Sequence, residues 1–278
     1  MKTHIIAFIG AGNMARSLIG GLIADGYAPE RIIAADPDLR KLQNLHADFG
    51  IRMSPSNIPA VEEADILVIA VKPQMVAHVA PEIISGEQGL AHKLVVSIAA
   101  GIRSSALERW LGREVAVVRA MPNTPALVQC AASVLYANAR VTTAQRAIAE
   151  SILRAVGLTL WIDREEHMDT VTALSGSGPA YFFLVMEAME LAGSKLGLPA
   201  GTARLLTLQT AFGAAKMALE SGIESSALRA QVTSPGGTTE RAVGVLREGG
   251  LEELFERALT AARKRSIELS EMLGDQHG

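Results

Sequence analysis

Short, uniformly apolar runs alternate with amphipathic stretches from the N-terminus to about Trp161, and this alternation restricts the fold more than any other feature. Runs that are apolar throughout, rather than on every second residue, are typical of strands in a parallel sheet covered on both faces. Strands of this kind alternating with helices predict a doubly wound α/β sheet. The predicted strands are 5–10, 31–36, 64–71, 93–100, 114–122, 133–139 and 158–163, and the predicted helices between them are 14–25, 39–49 and 104–111.

The second half of the chain has a different pattern, because no strand signal follows Asp163. Apolar segments bounded by proline and glycine predict a series of helices there. These helices are 179–197, 199–222, a shorter one capped by Ser225 or Ser226, and 251–273. The predicted organisation is an α/β domain at 1–162 followed by an all-helical domain at 163–278.

The first helix of the second half is apolar on almost every side, since the segment 180–193 reads AYFFLVMEAMELAG. A helix with this distribution is expected to be buried on most sides. A helical domain of about 115 residues has limited means of covering several such helices within one chain. We therefore expect a homo-oligomer built on a helical dimer, most simply with two-fold symmetry.

Composition bears on the possible partners of the protein and on the cellular compartment in which it works. The 278 residues carry a formal net charge of −3, which gives no indication of a nucleic acid or an anionic membrane as partner. The single cysteine, Cys130, allows no internal disulfide and suits a reducing cytoplasm, and we expect it to be a small buried apolar residue. The initial apolar run is too short for a signal peptide, and prolines interrupt the longest uncharged run, 120–139. A soluble cytoplasmic protein is expected.

A glycine-rich turn follows the first predicted strand, where FIGAGNMA contains the pattern G-x-G-x-x-A. Gly10 allows a tight turn, Gly12 lets the backbone approach a pyrophosphate, and Ala15 keeps helix and strand close. The N-terminus of the following helix presents free N–H groups and a partial positive charge to the phosphates. The position of this pattern between a strand and a helix predicts dinucleotide binding, and hence a Rossmann-type domain.

The second predicted strand ends at Asp36, a position that bears on the choice between NAD and NADP. An acid there usually accepts a hydrogen bond from the adenosine ribose and repels the extra phosphate of NADP. However, Arg40 or Lys41 could bind a 2′-phosphate, and Asp36 could also cap the following turn. This residue leaves the cofactor open.

The sequence offers no obvious catalytic base. Most dehydrogenases that act on alcohols need a general acid or base, often His or Lys, to move the hydroxyl proton. No cluster of residues has metal-ligand spacing, so we expect no bound metal. None of the six histidines lies in a motif with an orienting carboxylate, and we expect all of them at the surface: His4, His46, His78, His92, His167 and His277. A site without a base suits a substrate that is already electrophilic, such as an imine, for which the enzyme mainly supplies positioning.

Six motifs, in order along nearly the whole chain, resemble those of pyrroline-5-carboxylate reductases. The motifs are FIGAGNMA, AVKPQ (70–74), AAG (99–101), RAMPNTPA (119–126), SGSGPAY (175–181) and VTSPGGTTERAV (232–243). The resemblance implies a Rossmann domain followed by a helical dimerisation domain. It also implies the reduction of the C=N bond of 1-pyrroline-5-carboxylate to L-proline, the last step of proline biosynthesis, by NADPH or possibly NADH.

The resemblance also implies which residues hold the cofactor. The glycine turn would hold the pyrophosphate, Asn57 would bind the adenosine ribose or its phosphate, and two later segments would line the nicotinamide end. The implied set is Gly10, Ala11, Gly12, Asn13, Met14 and Ala15, then Asp36 and Asn57, then Ala70, Val71, Lys72 and Pro73, and finally Met121, Pro122, Asn123 and Thr124. A hydroxyl residue occupies the position of Asp36 in some members and favours NADPH there, so the acid in this chain leaves that preference open.

Substrate binding is assigned by the same resemblance to the loop in VTSPGGTTERA (232–242). Backbone amides would take the substrate carboxylate, and the Thr239 hydroxyl would reach the ring nitrogen, so Thr239 is the candidate catalytic residue. The implied substrate-binding residues are Ser234, Gly236, Gly237, Thr238 and Thr239. A helix N-terminus is an anion site by its own physics. The alternative is a plain helix–helix turn in which Thr238 is the N-cap.

Two other functions remain open on the residues alone. A β-hydroxyacid-type dehydrogenase also joins a Rossmann domain to helices, but it carries a catalytic lysine on the first long helix of the second domain. Lys195 is the only lysine in that helix and lies near its C-terminal end, where a cation favours the helix dipole. A non-catalytic NAD(P)-sensing protein would need the glycine turn and have no use for the loop at 233–239.

Overall fold

A single sheet dominates the first part of the computed structural model, which describes residues 3–85, 89–90 and 92–274. Its strand order within those residues is β3-β2-β1-β4-β5-β6-β7-β8, and all neighbours are parallel except β6 and β7. The strands are β1 Ile6–Ile9, β2 Ile32–Ala35, β3 Arg52–Ser54, β4 Ile66–Ile69, β5 Leu94–Ser97, β6 Ala116–Met121, β7 Ala131–Ala137 and β8 Gly157–Trp161. The order of the first six strands is that of a dinucleotide-binding doubly wound fold.

Helices cover both faces of this sheet and explain the uniformly apolar strands. In β1, Ile6 and Phe8 belong to the core on one face, whereas Ala7 and Ile9 belong to the core on the other face. All four side chains are fully buried. A strand that is buried on both sides has no solvent-facing position for polar residues, which confirms the predicted doubly wound α/β fold.

Seven helices accompany the sheet in the described residues before Ser177. They are α1 Asn13–Ala24, α2 Leu39–Phe49, α3 Asn57–Glu63, α4 Val76–Ile84, α5 Ser104–Leu111, α6 Thr143–Arg154 and α7 His167–Val171. The three helices predicted from the sequence correspond to α1, α2 and α5. A π-helical turn, Thr172–Gly176, continues α7.

The second part of the chain is helical. Its helices are α8 Gly178–Lys195, α9 Ala200–Ser221, α10 Ser225–Gln231, α11 Thr238–Glu248 and α12 Leu251–Gly274. Helices α8 and α9 pack against each other. The N-cap of α10 is Glu224, without a side-chain cap hydrogen bond, so the expected serine cap was wrong by one residue. No helix among the described residues is long and apolar enough to cross a membrane.

The chain forms two compact units, Met1–Ser177 together with Ala262–Gly278, and Gly178–Ala261. This division lies later than residue 163 because α7 and the π-helical turn pack on β7. The end of α12 also belongs to the first unit, where the Ser266 hydroxyl donates to Asp169 Oδ1 at 2.7 Å. The assignment of functions to residues 1–162 and 163–278 stays a prediction.

Apolar side chains remain exposed on the second unit. Phe182, Phe183 and Leu184 of α8 and Leu205 and Phe212 of α9 each show more than half of their surface in the single chain. An exposed apolar surface of this kind marks an interface in most soluble proteins.

Candidate functional site

The glycine turn connects β1 to α1 in the conformation that a dinucleotide site needs. Gly10 has a φ of +103°, and a Cβ at this position would lie 2.9 Å from the backbone of Ala70. Its amide donates to Ala35 O at 2.7 Å, so the turn is tied to the ends of both neighbouring strands. Only glycine accepts both this φ and this close approach.

Gly12 and the start of α1 leave an open, amide-lined surface. A Cβ built on Gly12 meets no atom within 4 Å, so the protein itself does not fill the space that the missing side chain provides. Gly12 is the N-cap of α1, and the first turn of this helix contains no acidic residue. Gly12 and Asn13 are exposed, whereas Ala15 is fully buried against the sheet. These features fit a bound pyrophosphate.

The other predicted cofactor segments lie at the same edge of the sheet. They lie at the carboxyl ends of four strands, and parallel strands bring their carboxyl ends together. Asp36 follows β2, Asn57 begins α3 after β3, 70–73 follow β4, and 121–124 include the end of β6. From β1 the chain continues to β2 on one side of the sheet, and from β4 it continues to β5 on the other side. Open α/β sheets bind ligands in the crevice at such a reversal of strand order.

Asp36 is buried and its carboxylate receives several donors. Oδ2 accepts the Ala11 amide at 2.9 Å, and Oδ1 accepts the Asp38 amide at 2.9 Å. Lys41 Nζ lies 3.3 Å from Oδ1 and 3.2 Å from Oδ2. Burial by itself raises the pKa of Asp36, but the two amides and the Lys41 ammonium outweigh it and hold the pKa below its usual range. Asp36 is therefore ionised at neutral pH and fixes the glycine turn through Ala11.

Asn57 is partly buried at the first position of α3. Its side-chain Nδ2 donates to Glu82 Oε2 of α4 at 2.7 Å, which orients the amide group. The binding of adenosine by Asn57 stays a prediction.

Asn123 has a role that the sequence did not reveal. Its Nδ2 donates to Ser175 O in the π-helical turn at 3.0 Å, and its Oδ1 accepts the Ala132 amide at 3.0 Å. A Cβ on Gly176 would lie 2.5 Å from the Met121 side chain, so Met121 packs directly on the π-helical turn. These two hydrogen bonds position the segment, and a contact between Asn123 and the cofactor stays a prediction.

A buried ion pair anchors β6, the strand that leads into this segment. Arg119 of β6 donates to Glu165 Oε1 at 2.6 Å, and the amide of Ser104 donates to the same oxygen at 2.6 Å. The guanidinium and the carboxylate are both largely removed from solvent. A single arginine within an otherwise uncharged strand was the available signal for this pair, since a buried charge needs a partner.

The loop predicted to bind substrate ends at the N-terminus of α11, in the second unit. Gly236 has a φ of +72°, and the N-cap of α11 is Gly237, without a side-chain hydrogen bond. The alternative in which Thr238 caps the helix is therefore wrong. Thr238 and Thr239 occupy the first two helical positions, where no carbonyl one turn earlier accepts their amides.

Two of the loop amides already have partners within the second unit. The Gly236 amide donates to Glu240 Oε2 at 2.7 Å, and the Gly237 amide donates to Ser234 O at 3.0 Å. The Glu240 carboxylate thus accepts the Gly236 amide, which was expected to bind the carboxylate of the substrate. Within the part of the chain that the structure describes, the amides of Thr238 and Thr239 have no acceptor and remain available for an anion. The sequence signal for Glu240 is its place three residues after the N-cap.

Other candidate groups lie outside these clusters. His46, His78, His92 and His167 are exposed and His4 is partly exposed, whereas His277 lies outside the described residues. Lys195 is an exposed residue at the last position of α8. Cys130 is exposed, so the expectation of a buried cysteine was wrong: it follows Gln129, whose left-handed backbone (φ 58°) turns the chain at the surface before β7.

Comparisons with known proteins cover nearly the whole chain. Residues 165–269 match a family model described as pyrroline-5-carboxylate reductase dimerisation, and residues 5–101 match one described as NADP oxidoreductase, coenzyme F420-dependent. A pyrroline-5-carboxylate reductase from Pseudomonas aeruginosa is 53% identical over 99% of this chain and 100% of its own length. Among solved structures, a pyrroline-5-carboxylate reductase from Coxiella burnetii superposes with a TM-score of 0.91 at 48% identity, covering 96% of this chain and 99% of that one. A pyrroline carboxylate reductase from Plasmodium falciparum with NADP bound gives 0.85 at 29% identity, covering 97% and 99%. The chain therefore belongs to the pyrroline-5-carboxylate reductase family.

Proposed function

We propose that this protein reduces the C=N bond of 1-pyrroline-5-carboxylate to L-proline with NADPH or NADH, as the last step of proline biosynthesis. The observation that carries this proposal is full-length similarity to named reductases, since 53% identity extends over 99% of the chain. The bound nicotinamide supplies the hydride for the imine carbon, and a proton at the ring nitrogen completes the balance.

The first unit has the task of holding the dinucleotide. The Gly10–Ala15 turn binds the pyrophosphate through the amides at the start of α1, while Asp36 and Asn57 face the adenosine ribose. Segments 70–73 and 121–124 line the nicotinamide end. Support comes from their common position at the carboxyl edge of the sheet and from the open space at Gly12.

The loop before α11 has the task of holding the substrate. The free amides of Thr238 and Thr239 bind the carboxylate, assisted by the partial positive charge of the helix N-terminus. Ser234, Gly236 and Gly237 shape the loop, and the hydrogen bond from Gly236 to Glu240 keeps it folded.

The Thr239 hydroxyl orients the imine by hydrogen bonding to the ring nitrogen. Among the described residues, this hydroxyl makes no hydrogen bond of its own, so it is available to a ligand. A protonated imine is electrophilic without further activation. The contribution of the protein is therefore the orientation of the substrate and the exclusion of unproductive poses.

A homo-oligomer is the working form, and we propose that its basic unit is a dimer formed by the helical unit. The match to a dimerisation family model at 165–269 supports it, as do the exposed apolar side chains of α8 and α9. We further propose a cytoplasmic location and no nucleic-acid partner. The single cysteine and the formal net charge of −3 support these two points.

Purified protein, NADPH and 1-pyrroline-5-carboxylate are mixed, and the oxidation of NADPH is followed by absorbance while proline is quantified. The account expects equal amounts of NADP⁺ and proline. A short β-hydroxyacid with NADP⁺ serves as the control for the rival dehydrogenase. Turnover of the hydroxyacid alone would support that rival, and binding of NADPH without turnover of either substrate would support a sensing protein.

A further inference from the structure

The carboxylate of Asp36 has little acceptor capacity left, which bears on how this chain selects its cofactor, provided that the proposed reductase function holds. A carboxylate offers about four lone-pair sites. Oδ2 accepts the Ala11 amide and Lys41 Nζ, and Oδ1 accepts the Asp38 amide and the same Nζ. Ribose hydroxyls that reach this acid must therefore compete with one of these donors.

Only one of the three donors is free to move. The Ala11 amide belongs to the glycine turn and the Asp38 amide to the turn before α2, so neither can leave without a change of backbone conformation. Lys41 differs, because its side chain is 47% exposed while that of Asp36 is 9% exposed. Lys41 is therefore the one donor of the three that can leave the carboxylate without a change of backbone conformation.

We propose that Lys41 determines the cofactor specificity of this protein. With NADPH, the ammonium stays beside Asp36 and meets the 2′-phosphate, so the acid no longer repels that phosphate. With NADH, Lys41 withdraws, and the ribose hydroxyls donate to the two acceptor sites that it leaves. An acid at the end of β2 then permits both cofactors, where an unpaired acid would exclude NADPH.

Arg40 is the alternative cation. Its backbone amide donates to Asp38 Oδ1 at 3.0 Å, and its guanidinium is exposed. Among the described residues that guanidinium makes no ion pair. It is adjacent in sequence to Lys41 but does not contact Asp36, so it cannot neutralise the acid. Substitution of Arg40 therefore removes the same charge while the Asp36–Lys41 pair is kept.

The test compares Lys41→Met, Lys41→Arg and Arg40→Met with the unsubstituted protein. Calorimetric binding of adenosine 2′,5′-bisphosphate and of 5′-AMP isolates the contribution of the 2′-phosphate without any turnover. The ratio of kcat/KM with NADPH to kcat/KM with NADH is measured in parallel. Activity of the unsubstituted protein with pyrroline-5-carboxylate tests the proposed function separately.

For Lys41→Met we expect roughly a 10- to 100-fold loss of affinity for the bisphosphate, because one charge-assisted hydrogen bond is removed and an acid is left unpaired. Affinity for 5′-AMP should stay the same or rise, Lys41→Arg should retain most of the discrimination, and Arg40→Met should change the ratio less than threefold. An equal loss for both nucleotides, or a loss that follows Arg40 instead of Lys41, would overturn the proposal.

Discussion

Gly10 and Gly12 stand two residues apart in one turn, yet the structure restricts them for different reasons. Gly10 combines a φ of +103° with close contact to the backbone of Ala70, so the fold itself requires glycine there. Gly12 has an ordinary φ of −80° and open space around its missing side chain. The fold itself does not require glycine at position 12, and we attribute this glycine to the proposed approach of the pyrophosphate.

This difference gives a matched pair of substitutions. Gly12→Val should lower the affinity for NADPH by roughly tenfold or more while the melting temperature stays close to that of the unsubstituted protein, because the branched side chain occupies the pyrophosphate position. Gly10→Ala should instead lower the melting temperature. Fluorescence titration with NADPH and thermal unfolding separate the two effects, and unchanged NADPH affinity in Gly12→Val would remove this turn from the cofactor site.

Asp36 should make stability depend on pH in the acid range. Its pKa in the folded protein lies below the value of about 3.9 expected for an unfolded chain, so its contribution is fully present above that value. The contribution is lost as the pH falls through the folded-state pKa. At pH 7, Asp36→Asn should therefore have a lower melting temperature than the unsubstituted protein. This difference in melting temperature should shrink below about pH 4. A difference in melting temperature that is the same at pH 7 and below pH 4 would contradict a stabilising role for the ionised Asp36.

At the level of secondary-structure elements, the sequence predicted the strands buried on both faces better than the shorter elements. Apolar runs such as 64–71 contain β4, and their short length favours a strand over a helix. The three-residue strand β3 at the sheet edge, and α3 and α4 with proline inside them, have weak local signals. Helix α6 was missed although Thr142 and Gln145 form a capping box.

In the candidate site too, features that are local in sequence could be predicted, whereas contacts between distant segments could not. The glycine turn follows from backbone requirements that are local in sequence, and it was found at Gly10–Ala15. The contacts of Asn123 with Ser175 and Ala132 depend on tertiary packing of the π-helical turn, and no spacing in the sequence encodes them. The pairing of Asp36 with Lys41 was not predicted, because a lysine in the first turn of a helix can equally point into solvent.

The start of α11 provides the test of the substrate loop. Thr239 does not cap this helix, so Thr239→Ala should leave the melting temperature almost unchanged. If its hydroxyl binds the ring nitrogen in the transition state, kcat/KM should fall by roughly 10- to 100-fold, because a hydrogen bond to a charged group contributes about 1.5–3 kcal/mol. Thr239→Ser keeps the hydroxyl and should retain most activity. A fully active Thr239→Ala protein would leave this loop as a helix–helix turn.

At the scale of the whole molecule, the second unit leaves Phe182, Leu205 and other large apolar groups exposed in the single chain. We expect at least a dimer by light scattering at low micromolar concentration. Phe182→Asp combined with Leu205→Asp should shift the mass toward the monomer, because two charges would be buried without partners. Ile84→Asp, which alters an exposed apolar residue of the first unit, serves as the control and should not change the mass. A monomer for the unsubstituted protein would contradict the proposed assembly.

The central claim is that a hydride passes from the nicotinamide to the imine carbon of pyrroline-5-carboxylate, and isotope transfer measures this step directly. NADPH that carries deuterium in both positions at nicotinamide C4 is incubated with the protein and pyrroline-5-carboxylate, and the proline formed is analysed by mass spectrometry. The account predicts proline with one deuterium, located at the former imine carbon. Proline without deuterium, or oxidation of NADPH without any proline, would contradict it.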